Sequence, residues 1–141
     1  FLIAYASING NTDKVANEIA EKLKENGVKV SVADLCRDDE AEAIEDAFKY
    51  DRMIVAASSY EGSVMPAMYN FLHHLQHKNF QNRKVGIVEN GSWAPSAGRV
   101  MRKLLEEMKD IEIVSPMVTI RSAKKPADAE TINDLVTEMS K

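Results

Sequence analysis

The chain has 141 residues, a formal net charge of −4, 45% hydrophobic and 28% charged side chains, and one cysteine, Cys36. That length and balance fit a single globular domain, exclude a disordered chain, and leave no basic footprint for nucleic acid, since Arg121, Lys124 and Lys125 form the sole basic cluster. One cysteine allows neither an internal disulfide nor a cysteine metal site, and no apolar run nears the roughly 18 residues needed to span a bilayer, so a cytoplasmic address with no membrane partner is expected.

In chain order, Phe1 to Ala6 reads as a buried strand. Val15, Ile19 and Leu23 then recur at four-residue intervals on a helix that Gly27 stops. Val28 to Asp34 is a second strand, and Asp39 to Tyr50 a short acidic helix. Arg52 to Ser58 is a third strand; Pro66 opens a helix whose Met68, Phe71, Leu72 and Leu75 share a face. Lys84 to Glu89 is a fourth strand, followed by a helix carrying Val100, Met101, Leu104, Leu105 and Met108. Ile111 to Ile120 and a helix with Ile132, Leu135, Val136 and Met139 close the series. The central strands are almost continuously apolar, as strands covered on both faces are.

Five rounds of strand then helix imply an α/β fold: a doubly wound, five-stranded parallel sheet of order 2-1-3-4-5 with helices on both faces. In that arrangement ligands bind beyond the carboxyl ends of the strands, between strands 1 and 3. The loops after strands 1, 3 and 4 therefore matter most. The start at Phe1, without Met and already inside an apolar run, suggests a single domain, residues 1–141, cut from a longer chain.

Ser7, Ile8, Asn9, Gly10, Asn11 and Thr12 join the first strand to the first helix. Hydroxyl and amide side chains, a glycine and a helix start meet there. A helix N-terminus offers unpaired N–H groups and partial positive charge to an anion. With no Lys or Arg in the loop, a phosphate monoester held by neutral donors fits better than a nucleoside triphosphate, and the G-x-x-x-x-G-K-[ST] and G-x-G-x-x-G patterns are absent. The same residues also suit an Asn-Gly turn with a Thr or Asn helix cap.

The third loop, Ser58, Ser59, Tyr60, Glu61 and Gly62, offers a ring for stacking and a peptide at 61–62 able to turn toward a planar ligand. A polar loop with a half-exposed tyrosine is the plainer reading. The fourth, Asn90, Gly91, Ser92 and Trp93, carries the chain's one tryptophan, which either packs on a ligand or folds back over a helix. Two aromatics and a phosphate loop at one sheet edge make a combined case stronger than any one of them.

These residues resemble the flavodoxin family. Ser7 to Thr12 is similar to its [ST]-x-x-G-x-T phosphate loop. Ala4-Tyr5-Ala6-Ser7 with Asn9-Gly10-Asn11-Thr12, Tyr60 before Pro66, and Gly91-Ser92-Trp93 are most similar to the C-terminal flavodoxin domain of A-type flavoproteins, the flavodiiron proteins. The resemblance implies FMN as cofactor, with its phosphate on Ser7 to Thr12 and its ribityl chain near Ser58 and Ser59. Tyr60 and Trp93 would flank the isoalloxazine, the 61–62 peptide would face its N5, and Asn90 to Ser92 its pyrimidine edge. Glu61 and Glu89 would set negative charge beside it. The pattern departs from the family where Ser58-Ser59 replace Pro-Thr and where Glu61 replaces a neutral residue.

In flavodiiron proteins such a domain follows a diiron domain whose ligands this chain lacks. The expected partner is thus a redox protein or that missing N-terminal domain, and the expected state a monomer or weak dimer, with no catalytic residue of its own. An NAD(P)H-dependent FMN quinone reductase, which steady NADH oxidation would favour, and a flavin-free interaction module are the alternatives. A signalling receiver is disfavoured because Ala6-Ser7 and Ala57-Ser58 stand where its acidic pair and phosphorylated Asp belong.

His73, His74 and His77 read as a solvated helix face rather than a metal site. Cys36 reads as a semi-buried bystander. Asp38, Asp39, Glu40, Glu42, Glu45 and Asp46 read as a solvated acidic face.

Overall fold

The computed structural model describes residues 1–7, 10–91, 95–121 and 123–141. Within them, β1 (Leu2–Ala6), β2 (Ser31–Asp34), β3 (Arg52–Tyr60), β4 (Ser63–Val64), β5 (Arg83–Asn90), β6 (Ile111–Ile113) and β7 (Val118–Ile120) alternate with α1 (Asn11–Glu25), α2 (Glu40–Lys49), α3 (Pro66–His77), α4 (Ala97–Glu106) and α5 (Asp128–Ser140). The sheet runs β2-β1-β3-β5-β6, with β7 also on β5 and β4 on β3. All pairings are parallel except that of β4 with β3. This is the expected doubly wound order, with the fifth strand in two pieces.

Because successive strand side chains point to opposite faces, the sheet builds two cores. Leu2, Ala4, Met53, Val55, Val85 and Ile87 pack under α2, α3 and α4, whereas Ile3, Ile54, Ala56 and Val88 pack under α1 and α5. The helix faces read from periodicity are the buried ones: Val15, Ile19 and Leu23 on α1, and Met68, Phe71, Leu72 and Leu75 on α3. Gly86 breaks the apolar run of β5 because a Cβ there would lie 3.1 Å from Leu135 Cδ1 and 3.2 Å from Met139 Sδ. Its absence lets α5 close onto the sheet.

Four expectations shift. The second strand starts at Ser31 rather than Val28, and Phe1 lies outside β1. The last strand does not run from Ile111 to Ile120. Instead β6 pairs with Arg83 to Val85 and β7 with Val88 to Asn90, at opposite ends of β5. Pro116 sits between them and has no N–H to give a ladder. Cys36 is exposed rather than semi-buried, in the turn after β2, where its N–H donates to Asp34 Oδ1 at 3.0 Å.

Nor is the acidic face wholly solvated. Asp39 caps α2 by accepting from Ala41 N–H, Asp46 Oδ2 accepts from Ser31 Oγ at 2.9 Å, and Glu40 pairs with His74.

Candidate functional site

Parallel pairing of β1, β3 and β5 sets Ala6 beside Ala57 and Ser58 beside Asn90, so the three loops of interest leave the sheet side by side. Gly10 is the N-cap of α1 at φ +80°, a left-handed conformation that L side chains adopt at a cost of about 1–2 kcal/mol. Among the described residues no side-chain cap bond is made at the N-cap of α1, which is Gly10 itself; Gly10 N–H donates to Ser7 Oγ at 3.1 Å, and Lys14 N–H to Gly10 O at 3.3 Å. The first-turn N–H groups, which no helix can satisfy internally, thus open beside a glycine-lined bend.

Thr12 is 2% exposed, and its hydroxyl meets Ser58 Oγ at 3.0 Å. This bond ties the first loop to the third. Either oxygen can donate, which leaves a proton free to turn toward an anion. Ile8, Asn9, Ser92 and Trp93 lie outside the described residues. Asn11 stands half-buried at the first position of α1.

The third loop is a hairpin. Tyr60 pairs with Ser63 and Ser59 with Val64, so Glu61 and Gly62 are the two turn residues, at φ +46° and +77°. Positive φ at both is the pattern of a type I′ turn, whose twist suits a hairpin; Asn-Gly or Asp-Gly usually fills it. Glu61 holds this position against its side-chain preference. Tyr60 is 42% exposed at the rim of the hairpin.

Two assignments take a different form. Ser59 Oγ accepts from Ser96 N–H at 2.8 Å and Ala97 N–H at 3.1 Å, capping the backbone at the start of α4. A Cβ on Gly91 would come within 2.9 Å of that oxygen and 3.0 Å of Pro95 Cα, so Gly91 is the close approach between the third and fourth loops. Glu89 is no open charge: it is 6% exposed, and its carboxylate accepts from Gly98 N–H at 2.9 Å and Thr119 Oγ at 2.7 Å. It braces α4 and β7 to β5. Ser96, which the sequence reading passed over, is 3% exposed and donates through Oγ to Ser63 O at 2.7 Å. A serine just ahead of a helix was the available signal for it.

Tyr5, at the carboxyl end of β1, has its phenol pushed above the usual range by burial first and then by Asp34, Asp13 and Asp38. Asp34 ends β2 and Asp38 follows it, whereas Asp13 lies in the first turn of α1.

The arrangement suits a flavin mononucleotide on an observation independent of any relative. A helix start, a left-handed glycine and a buried hydroxyl converge where a phosphate would lie, with an exposed ring on the neighbouring hairpin. The Flavodoxin domain family model matches residues 2–130. The anaerobic nitric oxide reductase flavorubredoxin of Aeromonas hydrophila is 26% identical over 112 residues, covering 77% of this chain and 23% of its own length. The rubredoxin oxygen:oxidoreductase of Desulfovibrio gigas superposes with a TM-score of 0.92 at 18% identity, over 99% of this chain and 34% of that one. A flavo-diiron protein variant from Thermotoga maritima superposes at 0.81 with 25% identity, again over 99% and 34%. The chain thus spans about a quarter to a third of the length of these relatives. With the match running through nearly every element from β1 into α5, the chain belongs to the flavodoxin domain family.

Proposed function

We propose that this chain binds FMN and passes electrons as the flavodoxin module of a flavodiiron-type oxygen or nitric oxide reductase. The observation that carries this is the α1 N-terminus opening at left-handed Gly10, tied through Thr12 and Ser58 to the hairpin bearing Tyr60. Flavodoxin domains bind FMN, and relatives that share this module are far longer proteins. The diiron domain or a separate redox protein would be the partner, and the chain alone would be a monomer or weak dimer. Among the described residues no helix is long and apolar enough to cross a membrane.

FMN, when bound, supplies one- and two-electron transfer; the protein supplies position and electrostatics. Ser7, Gly10, Asn11 and Thr12 would hold the phosphate, and Ser58 would share its hydroxyl between Thr12 and the ribityl chain. Tyr60 would cover the ring and shut water from it. Gly62 would let its peptide turn to the ring nitrogen. Ser59, Gly91 and Ser96 would keep the third and fourth loops at fixed spacing. No side chain needs to act as nucleophile or general acid.

Titrating the purified chain with FMN should quench flavin fluorescence at one equivalent. Absence of binding by demonstrably folded protein would overturn the proposal and favour an interaction module. Glu61 places a carboxylate on the hairpin tip beside Tyr60, and negative charge there opposes reduction. Glu61→Gln should therefore raise the reduction potential of the bound flavin, by an amount on the order of tens of millivolts, given solvent exposure and salt screening. A spectroelectrochemical titration with no rise, or with a fall, would rule out this role for Glu61.

A further inference from the structure

Helices α3 and α4 border a cleft of about 940 Å³ that reaches Gly62 of the third loop and is lined by Tyr69, His73, His77, Arg99, Lys103 and Glu107 among others. His73 and His77 lie one helical turn apart, and their Nε2 atoms approach to 3.1 Å. The rings meet edge to face, with centroids 4.3 Å apart and planes at 77°. Tyr69 lies alongside His73, with ring centroids 6.1 Å apart and planes at 17°.

Two neutral imidazoles can meet so closely either by sharing a proton or by sharing an ion. With metal–nitrogen bonds of ~2.05 Å, nitrogens 3.1 Å apart subtend about 98° at the metal. That lies between the 90° of square or octahedral coordination and the tetrahedral angle, so neither side chain would have to move far. His74 on the same helix is otherwise engaged, with its Nδ1 on Glu40 Oε1.

We propose that His73 and His77 form a bidentate, exchangeable site for a borderline divalent transition ion such as Cu²⁺, Ni²⁺ or Zn²⁺. Imidazole nitrogen selects these ions, whereas Mg²⁺ and Ca²⁺ demand oxygen ligands. Among the described residues no group of three His, Cys, Asp or Glu side chains converges on an ion. Water therefore completes the shell, and the ion's open positions face the cleft. Arg99 and Lys103 border the same space and oppose a second positive charge, while Glu107 offsets them only in part. The site is accordingly labile rather than structural. This inference stands apart from the flavin reading, since neither His73 nor His77 belongs to the three loops.

The test is a calorimetric titration of tag-free protein with Cu²⁺, Ni²⁺, Zn²⁺ and Mg²⁺. One equivalent of each transition ion should bind, Cu²⁺ most tightly, and Mg²⁺ should not. Because the second imidazole binds intramolecularly, His73→Gln and His77→Gln should each weaken binding roughly 100-fold or more. His74→Gln should leave affinity unchanged, and all three variants should keep the circular dichroism of the parent and its response to FMN. Failure of the parent to bind any of these ions, binding that survives both single substitutions, or an equal loss in His74→Gln would overturn the site.

Discussion

Replacing Glu89 by Leu should lower the unfolding free energy by about 2–4 kcal/mol, because a buried N–H and a half-buried hydroxyl lose a charged acceptor at once. Glu89 sits near the carboxyl end of β5, beyond its apolar residues Val85, Ile87 and Val88, and only 6% of it is exposed. A carboxylate in such a place is stable only if hydrogen bonds replace its lost water. Gly98 N–H and the Thr119 hydroxyl supply them at 2.9 and 2.7 Å. Hydrogen bonds to a charged acceptor contribute roughly 1.5–3 kcal/mol each, and the apolar burial gained by Leu offsets part of their loss.

The surroundings leave little room to adjust. A Cβ on Gly98 would lie 2.4 Å from Met117 Sδ and 2.9 Å from Glu89 Oε1, so α4 approaches the carboxylate through bare backbone. Glu89→Gln separates charge from shape. Its amide oxygen can still accept from Gly98 N–H while the Thr119 hydroxyl turns to accept from the amide nitrogen, so a cost of only about 1 kcal/mol is expected. Urea unfolding with an unchanged m-value measures both. A Leu variant as stable as the parent would show that the carboxylate contributes no net stability.

The contrast between Glu89 and Ile87 shows what the chain discloses locally and what it withholds. Ile87 announces its burial through strand periodicity, as Val15, Ile19 and Leu23 do through helical spacing, and the order of strands follows from the alternation. Those signals come from neighbours within a turn or two. Glu89, by contrast, is placed by Gly98 and Thr119, the latter 30 residues away. On sequence alone it reads as a charge at a strand end. The same holds for Ser59, whose partners Ser96 and Ala97 are 37 and 38 residues on. The loop from Ser7 to Thr12 stands out in the sequence because its candidate residues are contiguous. The break in the last strand had a local cue in Pro116, which an apolar run on both sides outweighed. The nearness of His73 and His77 was visible as spacing, but the convergence of their Nε2 atoms depends on rotamers that spacing does not set.

Thr12→Val should weaken FMN binding about 10- to 100-fold, which corresponds to roughly 1.5–3 kcal/mol for one charge-assisted hydrogen bond. Valine keeps the branched shape of a side chain that is 2% exposed, so α1 should still start at Asn11 and pack as before. What disappears is the hydroxyl that meets Ser58 Oγ at 3.0 Å and stands at the mouth of the helix N-terminus. Thr12→Ser restores an oxygen at the same depth and should recover most of the affinity. Riboflavin, which has the ring and ribityl chain but no phosphate, distinguishes a phosphate contact from a general loosening of the loop. If Thr12 acts on the phosphate, riboflavin affinity should barely change in the Val variant while FMN affinity falls. Equal losses for both ligands would instead place the effect in the Thr12–Ser58 tie and the hairpin it steadies. An FMN affinity untouched by the substitution would remove Thr12 from the site and leave backbone N–H groups of the first turn to hold the phosphate unaided.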